Sequence, residues 1–331
     1  MQPVPLVSSP GHRESFRDLI AANRRRSALL IVVFCGTVGL LALGLGVLIA
    51  GLLSPDGLAG VDWGQAVTVG LGAAAIAALI SALGYVTGDG AILGVSGAHP
   101  ITHETDPQLF NVVEEMAIAA GVPMPRVYEI DDPAPNAFAT GRDPQHATIA
   151  VTRGLRTQLN REELQGVVAH EMSHVRNEDT RLMLLVTVLV GTIAMLADFI
   201  WQLARFTPAT GRGGRNRNQG GGLFGVLLLA VGLVLMVLAP LFARILQFAV
   251  SREREYLADA SAVELTRDPH GLADALRRID ADPHILQTAN RGTAHLYIVN
   301  PIKAWERRAG SLFASHPPTA ERIRRLESLL A

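Results

Sequence analysis

Asn160-Arg-Glu-Glu-Leu-Gln-Gly-Val-Val-Ala-His170-Glu171-Met172-Ser173-His174 is the stretch on which the reading of this chain turns. Asn160 with Glu163 three residues on forms a capping box, so a helix starts here. Leu164, Val167, Val168 and Met172 recur at helical spacing and mark its buried side. His170 and His174 stand four apart and project from one face. Two imidazoles so placed can take adjacent corners of a tetrahedral zinc site. Glu171 then points near the open metal position, where a carboxylate can deprotonate a zinc-bound water for attack on a peptide carbonyl. An ordinary surface histidine pair is the competing reading.

A catalytic zinc takes three protein ligands and a water. The lone cysteine, Cys35, lies in an apolar run, so neither a Cys-based zinc site nor an intramolecular disulfide can form. No histidine follows His174 at the short metzincin spacing. In Ser251-Arg-Glu-Arg-Glu-Tyr-Leu-Ala-Asp259, Glu255 is the best candidate, and Asp259 can orient a ligand histidine through its second ring N–H. Glu253 rivals Glu255 on spacing, and a plain solvated charged helix fits the same residues.

Of 331 residues, 49% are hydrophobic and only 18% charged, and the apolar excess is clustered. The net charge of -1 supplies no global field for nucleic acid. Residues 27–53 form an uncharged run long enough to cross a bilayer and too long for a signal peptide. A second run, about 66–86, is rich in Gly and Ala, suited to close packing against another membrane helix. Two weaker candidates follow at 182–204 and 223–243, separated by a Gly/Arg-rich loop. The expected organisation is a tail (1–26), two transmembrane helices (27–87), the first catalytic part (88–181), two hydrophobic segments (182–248) and the second catalytic part (249–331). Arg24, Arg25 and Arg26 before the first span place the N-terminus, and with it both polar blocks, in the cytoplasm. The arginines of the 205–222 loop oppose that scheme.

Within the polar blocks, Asp106-Pro107 opens a helix that Gly121 ends. Residues 126–130, 136–140 and 146–152 read as short strands, with turn chemistry at Gly141-Arg-Asp-Pro. The capped helix is expected to run on into the third apolar segment. A helix continues to about Thr266, Asp268-Pro269 starts another, and a last one covers about 319–330.

His170 to His174 with the following Val-Arg-Asn-Glu-Asp179 resembles the zinc helix of the M48 metallopeptidases, most closely the HtpX-like membrane proteases. Ser251 to Asp259 resembles the family's second metal motif, Pro135-Asn-Ala-Phe-Ala-Thr-Gly141 its edge strand, and Ser315-His-Pro-Pro-Thr-Ala-Glu-Arg322 its C-terminal motif. The resemblance implies a mainly α fold with a small β-sheet, a zincin-like (gluzincin) domain attached to about four transmembrane helices. It implies one zinc ion held by His170, His174 and Glu255, with Glu171 as base and Asp259 behind the ligands. Asn136 would hold extended substrate against the edge strand, and His316 would stabilise the oxyanion. His99, His103, His146, His270, His284 and His295 match no such motif and are taken as non-ligands. The implied partners are protein or peptide substrates, above all misfolded membrane proteins, and the lipid bilayer. The implied location is a bacterial plasma (inner) membrane with the catalytic domain facing the cytoplasm. A CAAX-type processing protease of the same superfamily and a non-catalytic membrane scaffold are the alternatives.

Overall fold

A computed structural model describes residues 61–206, 252–289, 293–301 and 317–329, with part of 21–43. Most of the N-terminal tail, residues 44–60, most of the Gly/Arg-rich loop, the fourth apolar segment and His316 lie outside the described residues. The fold is mainly helical with one small mixed sheet. Helix α1 (Ser27–Thr37) precedes α2 (Trp63–Val95), β1 (Ala98–Pro100), α3 (Pro107–Ala120), β2 (Arg126–Ile130), β3 (Ala137–Thr140), β4 (Thr148–Thr152), α4 (Arg153–Gln158), α5 (Arg161–Arg176) and α6 (Asp179–Phe206). Helices α7 (Arg252–Thr266), α8 (Pro269–Ala281) and α9 (Thr319–Ser328) complete it.

Local chemistry sets the helix ends. Asp106 caps α3 by accepting from Leu109 N–H, and Gly121 ends it in the left-handed conformation at φ 67°. The Asn160/Glu163 capping box opens α5, and Asp268 accepts from the His270 and Gly271 amides at the start of α8. The sheet runs β1-β2-β4-β3, with only β2 and β4 parallel. Sequence patterning missed β1, whose three residues carry no alternation. β3 is the edge strand, and it lies against α5 and α6.

Helix α5 sits at the centre, clasped by α3, α7 and α8. Leu164, Val167, Val168 and Met172 are wholly buried in the main apolar cluster, as their spacing predicts. The approach of α8 is close enough to require glycine. A Cβ on Gly166 would lie 2.6 Å from the Leu272 amide nitrogen and 2.8 Å from its Cα, both backbone atoms.

One expectation is corrected. Helix α5 does not run on into the third apolar segment. It stops at Arg176, and Asn177-Glu178 make a turn with Glu178 at φ 55°, before α6 restarts at Asp179. The left-handed residue redirects the chain and carries Asp179 back beside α5.

Among the described residues, α2 is the one helix long and apolar enough to cross a membrane. At 1.5 Å per residue its 33 residues span roughly 50 Å, against a hydrocarbon core of about 30 Å. The excess is accounted for at its C-terminal end. Leu71, Ile76, Leu79, Leu83 and Val86 are exposed, whereas Ile92 and Leu93 are buried in a cluster with Ile130, Phe138 and Leu184. Asp89 pairs with Arg126 at 2.7 Å. Small residues admit the neighbouring helices: a Cβ on Gly88 would lie 2.8 Å from Val188 of α6, and one on Gly39 3.1 Å from Ala74 of α2.

Gly166→Ala is expected to cost about 1–3 kcal/mol through overpacking against backbone, read as a lower Tm of the detergent-solubilised protein. Gly94→Ala, where a methyl group meets nothing within 4 Å, should leave the Tm unchanged or raise it. Equal behaviour of the two variants would overturn the packing argument.

Candidate metal centre

Helix α5 presents His170 and His174 with their rings edge to face, centroids 4.8 Å apart. Their Nε2 atoms converge to 3.3 Å. Helix α7 supplies Glu255, with Oε2 3.7 Å from His170 Nε2 and Oε1 3.6 Å from His174 Nε2. The three ligand atoms lie within 4.8 Å of one another. Metal–ligand bonds of about 2.0–2.1 Å in a tetrahedron set neighbouring ligands roughly 3.3–3.5 Å apart, so the donor set fits a zinc ion. The rival Glu253 is exposed. Glu171 is buried on the same face, next to β3. It accepts a hydrogen bond from the Ala139 N–H, and its Oε1 has no hydrogen-bond partner.

Behind each histidine stands a carboxylate, and behind each carboxylate an arginine. Asp259 Oδ1 lies 3.0 Å from His170 Nδ1. Arg322 of α9 donates to both Asp259 oxygens, from Nη2 at 2.7 Å and Nε at 2.9 Å. Asp179, returned by the Asn177-Glu178 turn, lies 3.1 Å from His174 Nδ1. Its other oxygen accepts from Arg254 Nη1 at 3.1 Å. A carboxylate on Nδ1 leaves Nε2 as the metal-facing nitrogen. The sequence reading placed Asp259 here but gave no role to Asp179, Arg254 or Arg322. A signal for Arg322 existed. It stands four before Leu326 on α9, and both are about 1% exposed. An arginine on an apolar stripe implies a buried acidic partner.

The charge of the centre is unbalanced as the protein alone supplies it. Glu171, Asp179, Glu255 and Asp259 are buried with Arg254 and Arg322. With both histidines neutral and the carboxylates ionised, two negative charges are left over, the complement of a divalent cation. Without a cation, His174 and Glu171 shift to take up protons instead. Burial pushes His174 down, but the Asp179 hydrogen bond and the charges of Glu255, Asp179 and Glu171 outweigh it and lift the pKa to about 9. Burial raises Glu171 to about 7, with the Glu255 charge acting in the same direction. His170 is held down at about 4, by burial and then by the Arg322 charge, against Asp259. Burial pushes Asp259 up, but Arg322 beside it pulls it below its ordinary value.

Asn136 stands just before β3 and is buried. Its Nδ2 donates to Val299 O at 2.9 Å, and its Oδ1 accepts from the Val299 and Ala137 N–H groups. It therefore stands at the start of the edge strand, engaged by the chain's own backbone. His295 is buried, with Nε2 3.2 Å from Thr187 Oγ1, away from the ligand cluster.

Residues 103–330 match peptidase family M48. A protease HtpX homolog of Caldanaerobacter subterraneus subsp. tengcongensis is 47% identical over 247 residues, covering 75% of this chain and 80% of the relative. One of Levilactobacillus brevis is 42% identical over 313 residues, covering 94% and 99%. Among solved structures, S. mikatae Ste24p aligns with 93% of this chain and 67% of its own, at 20% identity and a TM-score of 0.41.

Two outcomes are expected. Between about pH 7.5 and 8.5, zinc affinity measured by chelator competition should rise roughly tenfold per pH unit. The sign follows from His174: it is protonated below about 9 and must lose one proton to ligate, whereas His170 is already neutral. A flat profile would contradict this. Asp179→Ala and Asp259→Ala should each weaken zinc binding about 10–100-fold. Unchanged affinity in Asp179→Ala would remove Asp179 from the centre.

Proposed function

We propose that this chain, which belongs to peptidase family M48 and is a metalloprotease, is a membrane-bound zinc endopeptidase that cleaves polypeptides near the cytoplasmic surface of a bacterial plasma membrane. The observation that carries the reading is the convergence of His170, His174 and Glu255 on one point beside the buried Glu171.

His170, His174 and Glu255 would hold the ion, and zinc bound there would supply Lewis acidity to polarise a carbonyl and bring the pKa of a bound water towards neutrality. The remaining work falls to the chain. Glu171 is buried next to the histidines with its Oε1 unpartnered, so it can take a proton from the attacking water and return one to the leaving amine. Asp259 and Asp179 keep the two rings in their ligating tautomer and orientation. β3 is the edge on which an extended substrate would lie, its backbone gripped by the Asn136 amide. His316 stabilises the oxyanion; this role is carried over from the family's C-terminal motif.

The membrane setting rests on α2 and on the apolar runs of the sequence. We assign 27–87 and 182–248 as the membrane segments, four crossings in all, and 88–181 with 249–331 as the two parts of one catalytic domain. Misfolded membrane proteins are the clients we infer. A site beside helices that enter the bilayer can reach segments displaced from it.

Glu171→Gln decides the mechanism. The variant should retain zinc in metal analysis and lose at least a thousandfold in casein cleavage, the roughly 4 kcal/mol expected when a base acting on the attacking water is removed. Full cleavage by zinc-loaded Glu171→Gln would overturn it.

A further inference from the structure

A protease of polypeptides must admit an extended backbone to its metal. In this structure that space is closed: His170, Glu171, His174 and Glu255 are at most 4% exposed. A part of the chain itself lies on the edge that a substrate would use. After a 3-10 turn at Ala294–Leu296, the backbone runs antiparallel along β3, with Tyr297 opposite Phe138. Ile298 N–H donates to Ala137 O at 3.0 Å. The Asn136 side chain takes both backbone groups of Val299, donating to its carbonyl at 2.9 Å and accepting from its N–H at 3.4 Å. The Ile298 carbonyl accepts from Arg322 Nη1 at 2.7 Å, and the same guanidinium has Nη2 3.4–3.5 Å from the ring nitrogens of His170.

These are the interactions that an edge strand and an amide side chain would offer a bound peptide. We propose that Ile298-Val299 occupies the place of substrate backbone, and that a polypeptide reaches the metal centre by replacing these two residues on β3 and Asn136. The inference rests on the reading of β3 as the substrate edge.

Two features define the exchange. Tyr297 is wholly buried and stacks edge to face on Phe138, centroids 5.1 Å apart. It stays as the anchor, and the strap peels away from Ile298 onward. Ile298 and Val299 are themselves buried aliphatic residues in the main cluster. A segment that replaces them must refill that apolar space and satisfy the same backbone donors and acceptors. The preferred substrate is therefore an extended stretch with consecutive β-branched or aliphatic residues, the composition of an unfolded strand or of a membrane helix that has lost its helical structure. A folded helix cannot compete, because its backbone groups are already used internally.

The test uses zinc-loaded full-length Glu171→Gln in detergent, with two fluorescent peptides that differ only in Ile-Val or Asn-Ser at their centre. The Ile-Val peptide should bind at least tenfold more tightly by anisotropy. At saturation, amide exchange in 298–300 should accelerate at least tenfold. Saturation with unchanged or slower exchange in 298–300, or equal affinity for both peptides, overturns the replacement. Absence of binding by either peptide, together with a wild type that cleaves neither, overturns the underlying reading of the edge instead. A second variant, Ile298→Pro, removes the donor to Ala137 O. With zinc content unchanged, it should raise kcat/KM for the Ile-Val peptide about fivefold, the weight of one hydrogen bond. A fall at unchanged zinc content counts against the strap.

Discussion

Charge balance among buried groups is the constraint on which the rest of this protein depends. Four carboxylates and two guanidiniums are buried around two imidazoles, and each would be prohibitive alone. They are tolerated as a set. Arg322 spans Asp259 and Arg254 reaches Asp179, and each carboxylate in turn fixes an imidazole. The remaining deficit is that of one divalent cation. Breaking such a buried pair on one side costs about 3–5 kcal/mol, so the centre contributes to the fold as well as to the chemistry.

The scaffold delivers these groups from four places in the chain. Helix α5 carries His170, Glu171 and His174, α7 carries Arg254, Glu255 and Asp259, α9 carries Arg322, and the first residue of α6 is Asp179. Close approach at Gly166 holds α5 against α8. The turn at Asn177-Glu178 is as necessary as the helices. A straight continuation of α5 would carry Asp179 away from His174, five positions earlier.

Much of this was legible in the sequence, where local chemistry governs. The Asn160/Glu163 box, Asp106-Pro107, Gly121 and Asp268-Pro269 all mark helix ends through short-range hydrogen bonds, and the His170–His174 spacing is a property of the helix itself. Hydropathy located α2 but ended it near Val86, because its last turns, with Asp89 and Gly90, are polar until they meet the protein. The break at Glu178 was illegible because no glycine marks it; tertiary packing holds the left-handed residue. β1 was too short to alternate. The second arginine layer and the strap along β3 bring together residues more than sixty positions apart, such as Asp259 with Arg322 and Asn136 with Val299, and no local pattern records such a meeting.

The continuity of α2 has a consequence for how the molecule can be divided. Its run of exposed apolar residues is interrupted after Val86, where the same helix buries Ile92 and Leu93 among strand and α6 side chains and pairs Asp89 with Arg126. A fragment that begins after the apolar stretch would start its backbone inside an uninterrupted helix and lose Tyr85, whose OH donates to the Arg142 carbonyl at 3.0 Å. The change from apolar to polar composition near residue 87 is a boundary of hydropathy in the sequence. It is not a seam in the structure, and a cut made there would yield an incomplete body in place of a liberated domain.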